Sequence, residues 1–386
     1  MPHNLRMRTI AAAAIVPLTL AACGSTSSSS QSNSSGGGTG SKVVKLSDMT
    51  IGYSVSTLQN QFFVGLTQGV KREASALGVH LIFDNAGGSA STQSNQVQEL
   101  VNQHVNAIIL NPINASGIIP AVEQANSAHI PVITLDRTAY GGKIASFVRD
   151  SSAQMSQEAA KWLVAQLTKR YGSPKGHIVD LEGLMSTSPG QARQKGFMSV
   201  ISKYPNIKVV STLPGNFDPS VSYNAMTDAI RANSGVQIDG VFNGNDDNAI
   251  GAERAIAAAG LSRPIGSRHH IFIASIDGTS QAFAAIRSGQ QDMTVAQNPM
   301  KEAEASVQLA AEVVNGKPIP ANVKWPHMLI DPANISSSAA SAFGLWSLDL
   351  TNPAQGNIPN MKSLPIYSSA GVPTGSYSAL YSQVSK

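Results

Sequence analysis

From Met49 onward, short β-branched runs alternate with longer stretches of helical period, and the alternation restarts after residue 150. Parallel strands need a helical crossover between them, so repeated β–α units favour parallel sheets covered by helices on both faces. In the first series the pattern predicts strands at Thr50–Val55, Val79–Phe83, Ala107–Leu110 and Pro131–Leu135. Helices are predicted between them at Phe62–Leu77, Thr92–His104 and Ile118–Ala128, and Ser146–Val148 reads as a short crossover strand. The second series predicts strands at His177–Leu181, Lys208–Thr212, Gly240–Phe242, Ile271–Ile276 and Met293–Ala296. Its helices fall at Gln154–Lys169, Ala192–Lys203, Val221–Ala232, Asn248–Ala259, Gln281–Arg287 and Lys301–Val314. Two sets of about five strands predict an α/β fold of two Rossmann-like, doubly wound lobes. A TIM barrel is the main alternative. It is disfavoured because the strands exceed eight and the series breaks near residue 150.

The chain has 386 residues, 42% of them hydrophobic, which suffices for two packed cores. Lys and Arg total 27 against 23 Asp and Glu, with no block of like charge, so the basic stripe of a nucleic-acid binder is missing. A single cysteine excludes an intrachain disulfide and any multi-thiolate metal site.

That cysteine stands where an anchor would. Arg6 and Arg8 head an apolar run, Thr9–Ala22, that is too short to span a bilayer as a helix. This is the layout of a secretory signal. Leu20-Ala21-Ala22-Cys23 resembles the lipobox of bacterial lipoproteins. The resemblance implies that residues 1–22 are a cleaved signal and that Cys23 carries a diacylglycerol. The bland reading is an ordinary signal with a chance cysteine. Each buried lipid CH₂ contributes roughly 0.8 kcal/mol, so two chains hold where one would not. In Gly24–Ser41, 16 of 18 residues are Ser, Gly or Thr. Such a segment reads as a flexible tether, within a linker taken as 23–47, with a reach of roughly 25 Å.

In open α/β sheets, ligands bind outside the carboxyl ends of the strands. There the chain places Ser56–Phe63, Asn111-Pro112 and Asp136-Arg137, and in the second series Arg193, Phe217, Asn245-Asp246-Asp247, Asp277-Gly278 and Gln297-Asn298-Pro299. Amides, carboxylates, arginines and phenyl rings suit a sugar. Its hydroxyls both donate and accept, and its C–H faces pack on aromatic rings.

Ser56–Phe63, Leu110-Asn111-Pro112, Ile130–Arg137, Phe242–Asp246, Ile276–Thr279 and Val295-Ala296-Gln297 resemble, in that order, the type I periplasmic sugar-binding proteins. The similarity is greatest to the ribose-binding proteins of ABC importers and covers roughly residues 49–335. It implies a type I periplasmic binding protein fold, in which three crossover strands join the lobes and ligand lies between them. It also implies ligand contacts at Asn60, Phe62, Phe63, Asn111, Asp136, Arg137, Arg193, Phe217, Asn245, Asp277 and Gln297, with Phe62 and Phe217 sandwiching the sugar ring. The first lobe would comprise 48–150 and 298–326, and the second 151–297 and 327–340, with a C-terminal extension at 341–386. The sequence departs from the ribose binders at Gln61, where they usually have proline, and in the tail from Ser336 to Lys386.

Structural readings stand beside these. Phe62 and Phe63 also suit the core face of a first helix, Asp136-Arg137 a structural ion pair, Arg193 a solvated helix, and Asn111-Pro112 a strand-stopping turn. Asp247 is read as a first-turn carboxylate complementing the helix dipole, and His269-His270 as surface. The tail, with Trp346, Tyr367, Tyr377 and Tyr381, is expected to strap partly along a lobe; a mobile end is the bland option.

No G-x-S-x-G elbow, H-E-x-x-H pair, Walker A loop or calcium-loop spacing occurs, so the chain is read as a non-enzyme without cofactor or metal. The expected role is a lipid-anchored, extracytoplasmic receptor that captures a ribose-type pyranose and delivers it to an ABC permease. The expected partners are the sugar, the permease and, through Cys23, the membrane, but no nucleic acid; the receptor would act as a monomer. A sensor feeding a membrane kinase or chemoreceptor, or a receptor for a polyol, is the alternative. A sugar-modifying enzyme on the same scaffold ranks below both. A LacI-like regulator would need a DNA-binding segment where the signal and tether stand.

Overall fold

The structure is a computed structural model that describes residues 43–337, 339–341 and 343, together with the strands at 365–367 and 373–376. Residues 1–22, expected to be a signal, Cys23 and the Ser/Gly-rich segment lie outside the described residues, as does most of the tail.

The first series runs β1 (Thr50–Val55), α1 (Gln61–Leu77), β2 (His80–Asn85), α2 (Ala90–Asn102), β3 (Ala107–Leu110), α3 (Ile119–Ser127), β4 (Val132–Leu135) and β5 (Ser146–Arg149). The second runs α4 (Ser152–Tyr171), β6 (Gly176–Glu182), α5 (Ser188–Ile201), β7 (Ile207–Pro214), α6 (Pro219–Ala232), β8 (Gly240–Asn243), α7 (Asp246–Ala258), β9 (Phe272–Asp277), α8 (Ser280–Ser288) and β10 (Met293–Ala296). Then come α9 (Pro299–Val314), β11 (Asn322–Lys324) and β12 (Met328–Ile330). The remote strands β13 (Pro365–Tyr367) and β14 (Pro373–Ser376) pair antiparallel with each other.

Two six-stranded sheets result, ordered β2-β1-β3-β4-β5-β11 and β7-β6-β8-β9-β10-β12. The lobes match in strand order and differ only in the direction of the rim strand, parallel for β11 and antiparallel for β12, and two open sheets dispose of the barrel alternative. All pairings within them are parallel except β10 with β12. Strands covered on both faces must be apolar throughout, and β3, Ala107-Ile108-Ile109-Leu110, is buried at every residue. On one face of the first sheet, α1 and α9 enclose Met49, Ile51, Leu66, Val70 and Val307. On the other, α2 and α3 enclose Val97, Leu100, Ile108 and Val122. The second sheet repeats this layering, with α4 and α5 on one face and α6 and α7 on the other.

The chain crosses between lobes three times: after β5, at Gln297-Asn298, and between β11 and β12. The short strand at Ser146 is therefore a member of the first sheet, and the crossing follows it. Strands β11 and β12 were not expected. Each has three residues and is defined by its pairing with a distant strand, Val323 opposite Val148 and Leu329 opposite Val295.

His270 also departs from the sequence reading. His269 is exposed, but His270 is buried, and its Nε2 lies 2.8 Å from Asp292 Oδ1. Its Nδ1 faces the Arg263 carbonyl at 2.8 Å. Both ring nitrogens meet acceptors, so the imidazolium is the form that satisfies them. At the start of the tail, Ala339, Ala340 and Phe343 pack on Phe283 and Ile286 of α8.

Candidate functional site

The carboxyl ends of both sheets face one cleft between the lobes. Asn60, Phe62, Phe63, Asp136, Arg137, Arg193, Phe217, Asn245, Asp277 and Gln297 line a single cavity there, with Pro189 as a further wall. Pro189 was not anticipated. Its sequence signal is ordinary, a proline in the first turn of α5.

Helix caps aim several of these side chains. Asn60 caps α1, its Oδ1 accepting from Phe62 N at 2.7 Å, which leaves its amide NH₂ to point into the cleft. Asn245 caps α7 in the same way through Asn248 N, and its Nδ2 donates to Asp277 Oδ2 at 3.3 Å. Asp277, at the end of β9, also accepts from Gln297 Nε2 at 2.6 Å and Arg193 Nη2 at 3.3 Å. Arg193 Nη1 is fixed by the Gly244 carbonyl at 2.8 Å. Arg193 is thus a buried member of the site rather than a solvated helix residue.

Asn111 does not line the cavity. Its Oδ1 accepts from Ser56 Oγ at 2.7 Å, and its Nδ2 donates to the Leu135 carbonyl and, at 3.3 Å, to Asp136 Oδ2. It holds Asp136 from behind.

Asp136 and Arg137 are buried, yet Arg137 Nε stands 3.8 Å from Asp136 Oδ2, a loose ion pair. Burial pushes the Asp136 carboxyl up to about 6 and pulls Arg137 down to about 10; their mutual attraction offsets this only in part. Burial likewise raises Asp277 well above the usual carboxylate range, against the pull of Arg193. Charges desolvated this far are costly unless further hydrogen bonds reach them. Three buried atoms around the cavity have no hydrogen-bond partner among the described residues: Arg137 Nε, Arg193 Nε and Gln297 Oε1.

The aromatic walls are held by the same cations. The Arg137 guanidinium lies 4.7 Å from the Phe63 ring centroid, and that of Arg193 5.5 Å from Phe217. The backbone is strained here. Of six non-glycine residues with positive φ among the described residues, Asp136 (61°), Phe217 (60°) and Asp277 (136°) line the cavity, and Asn216 (55°) adjoins it. Phe217 is the conspicuous case, because a bulky residue gains nothing locally from that conformation. Its ring lies over Gly183, where a Cβ would come within 2.3 Å of it.

The acidic pair at the start of α7 does more than complement the dipole. Asp246 is fully buried; it takes Thr279 N at 2.8 Å and Thr294 Oγ1 at 2.8 Å, and also Ser275 Oγ. These bonds brace the turn that carries Asp277. Asp247, read as a dipole partner alone, in addition accepts a hydrogen bond from Asn60 Nδ2 of the other lobe. Gln61, standing where ribose binders usually have proline, accepts from Ser280 Oγ across the cleft at 3.4 Å.

Residues 51–318 match the model of the periplasmic binding protein domain. The chain belongs to this family of solute-binding proteins. As a periplasmic binding protein it is a receptor rather than an enzyme, and its place is outside the cytoplasm. It is 31% identical to the ribose import binding protein of Bacillus subtilis, over 72% of this chain and 86% of that one. It is 32% identical to the xylitol-binding protein of Mycolicibacterium smegmatis over 85% of each. Among solved structures, an ABC transporter solute-binding protein from Mycobacterium smegmatis with bound glycerol is 31% identical, with a TM-score of 0.68 over 75% of this chain and 96% of that one. A solute-binding protein from Actinobacillus succinogenes with bound D-allose is 26% identical, with a TM-score of 0.66 over 74% of this chain and 98% of that one.

Proposed function

We propose that this periplasmic binding protein captures a ribose-type aldose in its pyranose form by closing its lobes, and delivers it to an ABC permease. A diacylglycerol on Cys23 would anchor it as a monomer to the cell membrane. One observation carries the reading: Arg137 Nε, Arg193 Nε and Gln297 Oε1, buried and without hydrogen-bond partners among the described residues, converge with three phenyl rings on one cavity. Hydroxyls that both donate and accept satisfy such a mixed set, and C–H faces suit the rings. Asn60, Asp136 and Arg137 bind from the first lobe, Arg193, Phe217, Asn245 and Asp277 from the second, and Gln297 from the crossing. Phe62 and Phe217 flank the ring, while Asn111 acts through Asp136. A ligand touching both lobes favours the closed form, because only there are all its contacts made.

An open-chain polyol is the second reading, favoured by the likeness to a xylitol-binding protein along 85% of the chain. Titration calorimetry with aldopentoses, aldohexoses and pentitols separates the two. Saturable binding of an aldose, with a raised melting temperature, supports the first reading. Binding confined to polyols selects the second, and binding of neither class refutes both.

A further inference from the structure

The lobes meet along two flanks of the cleft, and the fold relates one meeting to the other. In strand order, β1, β3 and β4 hold the places in the first sheet that β6, β8 and β9 hold in the second. On one flank Asn60 and Gln61, after β1, are bonded to Asp247, after β8, and Ser280, after β9. On the other flank the roles are exchanged. Ser186, Ser188 and Gln191, after β6, meet the loops that follow β3 and β4. There Ala115 N donates to the Ser186 carbonyl at 3.0 Å, and Ser186 Oγ to the Ile113 carbonyl at 3.3 Å. Thr138 N donates to Ser188 Oγ at 3.0 Å, and Tyr140 Oη to Gln191 Oε1 at 2.8 Å.

The flanks differ in chemistry. The first includes Asn60, which lines the cavity, and an acid, Asp247. On the second, Ala115, Thr138, Tyr140, Ser186, Ser188 and Gln191 carry no charge. They line neither the cavity nor the neighbouring space that shares Asn60 and Arg137 with it. Bonds within each lobe hold these groups ready. Gln191 Nε2 donates to the Met185 carbonyl at 2.9 Å, which leaves Oε1 free for the Tyr140 hydroxyl. Tyr140 N donates to the Ala115 carbonyl at 2.8 Å and so joins the two loops of the first lobe. Parting the lobes breaks neither of these two bonds.

From this we propose that Thr138, Tyr140, Ser188 and Gln191 form a clasp, which sets the affinity of the receptor through lobe closure alone and never touches the ligand. The inference rests on the reading that the lobes close on a bound solute, and not on which sugar that is. A contact made only in the closed form stabilises that form equally, whatever lies inside it. It therefore scales the apparent affinity of every ligand by one factor. Residues of the cavity, by contrast, weigh each ligand by its own hydroxyls. The clasp breaks only when the lobes part, so it acts on release and not on entry into the open cleft.

The test is calorimetry and stopped-flow kinetics of the purified protein with a panel of aldopentoses, aldohexoses and pentitols. Tyr140→Phe removes the hydroxyl, and Ser188→Ala removes the acceptor of Thr138 N. The double variant should weaken every ligand that binds by the same factor, about tenfold, through faster dissociation at an unchanged association rate. Ser188→Thr, which keeps the hydroxyl, should bind as the unaltered protein does. The melting temperature of the ligand-free double variant should match that of the unaltered protein, because the bonds removed join lobes that each keep their own core. Unchanged affinities in the double variant overturn the clasp. So does a loss that differs by more than about threefold between ligands, or one carried by the association rate. A lowered melting temperature without ligand assigns these bonds to folding and overturns it as well. If no member of the panel binds the unaltered protein, the reading of closure on a sugar or polyol fails, and the clasp with it.

Discussion

Asn60 in the first lobe donates its side-chain amide to the carboxylate of Asp247 in the second, while its Oδ1 caps α1. One amide thus ties helix α1, the cavity and the opposite lobe together. Burial, and then the charge of Asp246, push the Asp247 carboxyl up to about 7. Opening the cleft exposes Asp247 to water and relieves the first of these causes, so closure takes up protons. Ligand affinity should then fall as pH rises from about 5 through 7 and level off above. Asp247→Asn should flatten that slope, and Asp247→Ala should weaken binding by about tenfold. Calorimetry at several pH values checks both; a slope unchanged in Asp247→Asn counts against the link.

Arg137 is the second test. Its removal leaves Asp136 buried without its cation and strips Phe63 of a cation–π neighbour. Arg137→Ala should cost about 2–4 kcal/mol of ligand affinity, or roughly 30- to 700-fold in Kd. Unchanged affinity by calorimetry would remove Arg137 from the site.

Gly183 supports Phe217 only by having no side chain. Gly183→Ala puts a methyl where the ring now lies, so the ring must leave its place beside Arg193. Affinity should drop by tenfold or more, on the order of 1.5 kcal/mol, while the far-ultraviolet circular dichroism stays native. Native affinity in this variant would show that Phe217 does not contact the ligand.

The buried pair His270–Asp292 predicts a pH-dependent stability. Burial pulls the imidazole down, but the hydrogen bond and charge of Asp292, with the Arg263 carbonyl, win and raise it. A histidine raised in the folded state contributes stability in full below its unfolded value near 6.5 and loses it as pH rises through the folded value. Melting temperature should therefore decline above about pH 6.5 through this pair. In His270→Gln that component of the decline should vanish; an identical pH profile in the variant would refute the assignment.

The β–α alternation was legible because strands buried on both faces must be continuous apolar runs. The bounds of β1, β3 and β10 follow directly from Thr50–Val55, Ala107–Leu110 and Met293–Ala296. The convergence of Asn60, Arg193 and Asp277 was legible because ligands in this architecture sit at strand ends. What escaped depends on distant partners. β11 and β12 are strands only through their neighbours. His270 looks like a surface residue until Asp292, 22 positions on, turns toward it. Asp247 carries every sign of a dipole-complementing residue, and its reach to Asn60 spans 187 positions. The positive φ of Phe217 has no marker at all, since no glycine or asparagine occupies that position.

The interleaving of the lobes has a consequence for biogenesis. Helix α9, which covers α1 and the faces of β3, β4 and β5, and the edge strand β11 are both made after the whole of β6 to β10. As the chain emerges, the earlier half waits with Leu66 and Val70 uncovered until residues near 314 arrive, whereas the later sheet lacks only its rim strand β12. Maturation is thus nested: the inner segment can condense first, and the outer one closes around it.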